Sequence, residues 1–188
     1  IETIDEHFSK FRLSDALMTL YKFFWDDFCA WYLEVIKPEY GKPIDKVTYD
    51  ATIVFFEKLL RLLHPTMPFI TEELWQNIEE RKDGETIMLQ PQPKAAPYSV
   101  ETIHAFEQGV GAIASVRNIR QSKGISPKEA LTLQIKGAFP EKIVSVVKRM
   151  ANLSEVSLVS EIDNSVNGAA FMVDTIEFFV PLTGMVNA

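Results

Sequence analysis

Apolar positions between residues 14 and 37 recur at spacings of three and four. Leu17, Leu20, Phe24, Phe28, Trp31 and Val35 fall on one stripe, which predicts a long amphipathic helix. Ser14 offers a hydroxyl to the free amides of its first turn, and Pro38 stops it. After a turn-rich loop over 39–44, a second helix is expected over 45–64. Val47, Ala51, Val54, Leu59 and Leu62 share one side of it, and Phe55, Phe56 and Leu63 widen that side. So broad an apolar face needs neighbours in more than one direction. His64-Pro65 ends the pattern. Residues 66–78 predict a shorter helix with Phe69, Ile70, Leu74, Trp75 and Ile78 inward. The polar stretch 79–98, with Pro91, Pro93 and Pro97, reads as a connector. Ser99 opens a further helix to about Lys123, with Ile103, Phe106, Val110 and Ile113 on its inner face. Gly124 is its stop.

The period then changes. Leu131–Ile135 alternates with period two, as a half-buried strand does. Residues 140–150 read as a helix, and 156–159, 170–173 and 176–180 as short strands. The expected fold is mainly α, an antiparallel helical bundle carrying a small C-terminal β-α-β-β-β lobe. The expected division is 1–98, bundle and connector, and 99–188, the long helix with the α/β lobe.

Composition narrows the function classes. At 188 residues, 47% hydrophobic and 24% charged, the chain can bury a core and is not of the disordered class. Its one cysteine, Cys29, excludes a disulfide framework and a four-cysteine zinc cluster. That usage fits a reducing, cytoplasmic setting. No apolar run reaches the ~18–20 residues of a membrane span, and the first residues do not resemble a signal peptide. Residue 1 is not Met, so it reads as a boundary within a longer chain.

The net charge of −7 argues against nucleic acid when taken alone. Its distribution alters that. Residues 101–150 hold eight Lys and Arg against four Asp and Glu, whereas 151–188 hold none against five. Affinity for RNA follows the field within a Debye length, ~8–10 Å. The pointed basic group is Arg117, Arg120 and Lys123, spaced by three near a helix C-terminus, with Lys128 after it. Compensation of the helix dipole and contact with phosphate both explain it.

Other constellations carry bland readings. Gly109-x-Gly111-x-x-Ala114 imitates a dinucleotide fingerprint, with Glu129 downstream. No strand and turn precede it, so close helix packing is the reading. Asp26, Asp27 and Glu34 are a solvated face rather than an acid–base pair. His7, His64 and His104 lack ligand spacing, and no metal site is expected. Cys29 reads as a small hydrophobe. No catalytic constellation is expected. The seven aromatics among Tyr21, Phe23, Phe24, Trp25, Phe28, Trp31 and Tyr32 cannot all face one way. Phe24, Phe28 and Trp31 suit a core, and the others are open to base stacking.

Two stretches, Phe24-Trp-Asp-Asp-Phe-Cys-Ala-Trp-Tyr-Leu-Glu34 and Leu63-His-Pro-Thr-Met-Pro-Phe-Ile-Thr-Glu-Glu-Leu-Trp75, resemble the valyl-tRNA synthetase family. Arg117-Asn-Ile-Arg120 followed by Ile125-Ser-Pro127 resembles a helix end and loop of the same family, and synthetases for isoleucine and leucine share weaker versions. The resemblance implies a class I anticodon-binding bundle. It implies a parent that joins valine to its tRNA with ATP through an aminoacyl-adenylate. The family's His-Ile-Gly-His and Lys-Met-Ser-Lys-Ser signatures are not in this sequence, nor is its editing domain, so no cofactor is expected within these residues. The family's upstream bundle helix, with its Asn-Lys-x-Trp-Asn-like motif, has no match in residues 1–13. Past Leu182-Thr-Gly-Met-Val-Asn-Ala188 the family continues into a coiled-coil arm. The expected partners are valine-specific tRNA and the parent's catalytic and coiled-coil domains. The residues expected to meet tRNA are Arg117, Arg120 and Lys123, with Arg12 and Lys22 behind them. The alternatives are a scaffold joining the catalytic core to the arm, or the same region of an isoleucyl- or leucyl-tRNA synthetase.

Overall fold

The computed structural model describes residues 1–162 and 166–182. The chain is mainly helical, with one mixed sheet, and forms two compact units, Ile1–Pro97 and Tyr98–Ala188.

In the first unit an unexpected helix, α1 (Glu2–Ser9), precedes the long helical stretch, with Glu2 and Asp5 favourably placed at its positive end. A tight turn through Phe11, at φ 57°, leads into α2 (Leu13–Lys22). The helix expected over 14–37 is not one α-helix. It passes through a π-helical stretch, Phe23–Tyr32, before a last α-helical turn, α3 (Leu33–Ile36). Bonding from i to i+5 adds residues to each turn and shifts the apolar stripe. Phe28 is buried within this stretch and Trp31 half-buried; ahead of it, on α2, Leu20 is buried and Leu17 exposed.

Helix α4 (Lys46–Leu63) starts where the Asp45 carboxylate accepts the Thr48 amide at 2.9 Å. Its Leu62 and Leu63 close a core with Ile4 and Leu20, against which Phe8 and Phe24 pack. Phe28 stands among Phe24, Tyr32, Phe55 and Phe56, with ring centroids 5.5–5.8 Å apart. Rings at such offsets add ~0.5–1.5 kcal/mol per pair to their burial.

Helix α5 (Pro68–Ile78) departs from the expected facing. Trp75 is buried, but Phe69 is 90% exposed and Ile70 and Leu74 are also exposed. The inward face instead uses Thr71, whose hydroxyl meets His64 Nδ1 at 2.7 Å. The expected connector is likewise packed. Its 3₁₀ turn Ile87–Leu89 buries Ile87 against Leu60 and Trp75. Glu72 holds that turn, accepting from Thr86 Oγ1 (2.5 Å), Gln76 Nε2 (2.8 Å) and the Ile87 amide (3.4 Å). Arg81 lies 3.9 Å over the Trp75 ring and pairs with Glu57.

The second unit is built on α6 (Val100–Lys123). Ser99 Oγ accepts the Thr102 amide at its start, and a Schellman turn at Gly124, φ 66°, closes its end. Strand β1 (Leu131–Lys136), α7 (Glu141–Met150), β2 (Leu153–Leu158), β3 (Gly168–Val173) and β4 (Ile176–Pro181) follow. The sheet order is β2-β1-β4-β3; β1 and β2 are parallel, and β4 runs antiparallel to β1 and β3. Register places Leu133 beside Val156, and Ile135 beside both Leu158 and Phe178. The buried face of this sheet, with Leu131, Leu133, Ile135, Phe178 and Val180, forms the core with α6 and α7.

The inner face of α6 also differs from the expected one. Ile103 is exposed and Phe106 and Val110 are half-buried; Gly109, Ala112, Ile113, Val116 and Arg120 are inside. A Cβ on Gly109 would overlap Ile143 Cγ2, and one on Gly111 would lie 2.9 Å from Val173 Cγ1. The glycine pair thus lets α7 and β3 approach the α6 backbone, the packing role expected for it. The expected continuation past Ala188 lies outside the described residues.

Candidate nucleic-acid interface

The expected basic group does not share one surface. A spacing of three residues falls short of a 3.6-residue turn by roughly 60°, so Arg117, Arg120 and Lys123 wind around α6. Arg117 and Lys123 are exposed, whereas Arg120 is 6% exposed. Arg120 Nη1 donates to the Ser126 and Glu129 carbonyls at 3.1 and 2.7 Å. Its Nη2 donates to those of Ala151 and Asn152 at 3.0 and 2.9 Å. Burial pushes its pKa below the usual value, and the Glu129 charge pulls the other way. A guanidinium committed to four carbonyls has no fork left to offer a phosphate. The expectation of a phosphate contact is therefore corrected for Arg120.

Its partners explain why it is there. Ala151 and Asn152 end α7, where main-chain carbonyls lack helical donors and carry the negative end of the dipole. Arg117 Nη2 also donates to this end, to the Met150 carbonyl at 3.2 Å. Two arginines of α6 thus cap α7 from the side. Asn152, at φ 51°, completes the node by donating from Nδ2 to the Pro127 carbonyl at 2.8 Å and the Glu129 carbonyl at 3.4 Å.

This packing assembles a basic surface that spacing along the chain did not reveal. Lys148 and Arg149 form the last turn of α7, exposed beside the end that Arg117 touches. Lys128 is exposed on the loop that Arg120 and Asn152 hold. Residues 117–130 and 147–152 together carry six cations and one carboxylate, Glu129. The signal for Lys148 and Arg149 was the amphipathic pattern of α7, which puts its charged side opposite buried Val147.

Arg12 and Lys22 belong to the first unit. Arg12 is exposed at the start of α2. Lys22 is exposed but lines a cavity of about 340 Å³ that Thr3, Thr19 and Asp27 also line. Asp15 shares a second cavity with it. Burial, then Asp26, pushes the Asp27 carboxyl up. Two acids around one lysine make a poor phosphate cradle. Further along the same helix Tyr21 and Trp25 are both exposed and stacked, centroids 6.4 Å apart and planes 5° off parallel. Cys29 is half-buried and burial pushes its thiol up, as suits a packing residue. Among the described residues no group of three or more His, Cys, Asp and Glu is placed to hold a metal. No helix there is long and apolar enough to cross a membrane.

Residues 1–135 match the family described as the anticodon-binding domain of tRNA ligase. The chain belongs to this family. The matched span includes Arg12, Lys22, the Tyr21–Trp25 stack, all of α6 and Lys128; Lys148 and Arg149 lie past it. This anticodon-binding domain is similar to part of the valine–tRNA ligase of Parabacteroides distasonis, 49% identical over 187 residues that make up 100% of this chain and 21% of that enzyme. The Bacteroides fragilis valine–tRNA ligase is 48% identical over 182 residues, 96% of this chain and 20% of that enzyme. The Nitratiruptor enzyme of the same name is 32% identical over 187 residues, 98% and 21% of the two. The chain spans about a fifth of the length of these relatives.

Proposed function

We propose that these residues form the tRNA-docking region of a valine–tRNA ligase, the enzyme that attaches valine to its tRNA with ATP, working in the cytoplasm. The helices of the first unit serve as a class I antiparallel anticodon-binding bundle, and the second unit leads toward a coiled-coil arm. Docking needs no chemistry at these residues. Cations fix the RNA backbone, and aromatics receive unstacked bases. The observation that carries this reading is the convergence of Arg117, Lys128, Lys148 and Arg149 on one surface in a chain of the anticodon-binding family. The exposed Tyr21–Trp25 stack is the base platform, worth ~1–3 kcal/mol per stacked base.

Salt titration of tRNA binding by the full-length enzyme tests it. Each phosphate contact contributes ~0.9 to the slope of log K against log salt. Lys128→Ala with Lys148→Ala lowers that slope by ~1–2. An unchanged slope and affinity rule the docking surface out.

A second reading, a scaffold between the parent's other domains, is favoured by the large apolar side chains exposed on α2 and α5. Leu13, Leu17, Met18, Phe69 and Ile70 are all uncovered. In that case the lysine substitutions leave tRNA affinity alone, while Phe69→Ser with Ile70→Ser lowers the melting temperature of the whole enzyme.

A further inference from the structure

Arg120 has the strength of a buried ionic group, yet none of its four partners is a carboxylate. Two of its bonds go to the loop after α6 and two to the end of α7. The exposed cations sit on those same pieces: Lys128 on the loop, and Lys148 and Arg149 on the last turn of α7. Arg117 projects from the helix one turn before Arg120 and reaches the same helix end. One guanidinium therefore ties together every segment of the basic surface while staying inside the protein. Its planar, five-donor shape suits this task. A lysine ammonium on the same stem is a point donor with three hydrogens, and cannot span four carbonyls in two directions.

We propose that Arg120 is a positioning residue for tRNA. It holds the segments that carry Arg117, Lys128, Lys148 and Arg149 in one arrangement for phosphates to meet, and makes no contact with RNA itself. The proposal rests on the docking function above. The surface is useful only as a set, because phosphates follow one another at fixed intervals and cations out of register release fewer counterions. Arg120 therefore controls several contacts at once, although it contributes none.

Arg120→Lys in the full-length enzyme separates the alternatives, because it keeps the charge and changes the geometry. Binding of valine-specific tRNA is measured from 50 to 300 mM KCl, beside Lys128→Ala, with hydrogen exchange over residues 124–130 and 148–153. Arg120→Lys is expected to weaken binding about tenfold and to lower the salt slope by more than one contact, ~0.9, despite unchanged net charge. Exchange in both segments speeds up. Lys128→Ala lowers the slope by about one contact and leaves exchange alone. A slope and affinity unchanged by Arg120→Lys, while Lys128→Ala lowers both, overturn the positioning role and leave the docking function standing. Neither variant moving the slope overturns the docking function. A slope lowered only when the charge is removed, in Arg120→Gln but not Arg120→Lys, assigns Arg120 a direct contact and refutes the proposal.

Asn152→Gly covers the case in which Arg120→Lys does not fold. Glycine keeps the positive-φ backbone and removes the bonds from Asn152 Nδ2 to the Pro127 and Glu129 carbonyls. It loosens the same loop with Arg120 intact. The expected result is a smaller loss of affinity and slope in the same direction. No change in either refutes positioning by this node.

Discussion

Replacing Gly109 by alanine sets two effects of known size against each other. On propensity alone, Gly→Ala inside a helix stabilises by ~1 kcal/mol. Gly109 is buried, however, and the new methyl would overlap Ile143 Cγ2 and lie 3.6 Å from Val147 Cγ2. Ile143 is β-branched on a helix, so its χ1 is held in one rotamer and Cγ2 cannot swing away. Relief needs α7 to move as a body. That movement is opposed at its C-terminal end by Arg117 and Arg120, and along its length by Val147, which is fully buried. Overpacking of this kind costs ~1–3 kcal/mol. With α7 fastened the upper part of that range applies, leaving a net loss of about 1–2 kcal/mol. The assay must report on the second unit. All three tryptophans, Trp25, Trp31 and Trp75, lie in the first, so intrinsic fluorescence is blind to it. Hydrogen exchange of the α6 and α7 amides under native conditions reads the opening free energy directly. Ile143→Ala removes the obstructing methyl. The double variant should therefore cost less than the sum of the two singles by about 1–2 kcal/mol. A Gly109→Ala protein stabilised by ~1 kcal/mol, with additive effects in the double variant, would refute the close approach of α7 to α6.

Other outcomes follow from the first unit. Arg81→Ala removes the cation over Trp75 and leaves Glu57 without its partner; it should cost about 1–2 kcal/mol in urea unfolding and change Trp fluorescence in the native state. Burial pushes the Glu72 carboxyl up, but the Thr86 hydroxyl, the Gln76 amide and the Ile87 amide outweigh it and hold it below the usual carboxylate range. Its stabilisation is thus present above the unfolded value, ~4.3, and is lost as pH falls through the lower folded value. Glu72→Gln should reduce the melting temperature most near neutral pH, with the gap to the parent protein closing below about pH 4. Phe69→Ser should alter the stability of these 188 residues by less than ~0.5 kcal/mol, because its ring is 90% exposed; a loss of several kcal/mol would contradict the observed facing of α5.

The ends of α6 were legible in the sequence, whereas Ser14, expected to cap the first helix, lies inside α2 behind an Arg12 N-cap. Ser99 and Gly124 bracket α6 as their chemistry requires, and period-two alternation marked β1. Helix phases were less legible, for identifiable reasons. The stripe from Leu17 to Val35 assumed 3.6 residues per turn, and the π-helical stretch breaks that assumption in its middle. On α6 the apolar residues pointed to Ile103, Phe106 and Val110. The side that packs closest contains Gly109 and Ala112, which carry little hydrophobic signal because their smallness is what the contact uses. The burial of Arg120 was hidden for a related reason. Its partners are carbonyls, present at every residue, so no complementary side chain elsewhere in the sequence announced them. Lys148 and Arg149 joined the site through packing of distant segments, which spacing along the chain does not encode.

The same choice of partners governs how this node responds to mutation. A salt bridge fails if either of two residues is exchanged; the Arg120 node has one vulnerable side chain and four acceptors that every amino acid possesses. Positions 126 and 129, both exposed, can change identity so long as the backbone keeps its path, whereas buried Ala151 admits only small side chains and Asn152 is restricted by its φ of 51° and by the bonds its amide makes. Neither side of the node titrates between mildly acidic and mildly alkaline pH. Within this node, substitution at the exposed positions 126 and 129 should therefore cost far less folding than substitution at Arg120. A fastening made this way lets the exposed residues around it change while the frame that carries them stays put.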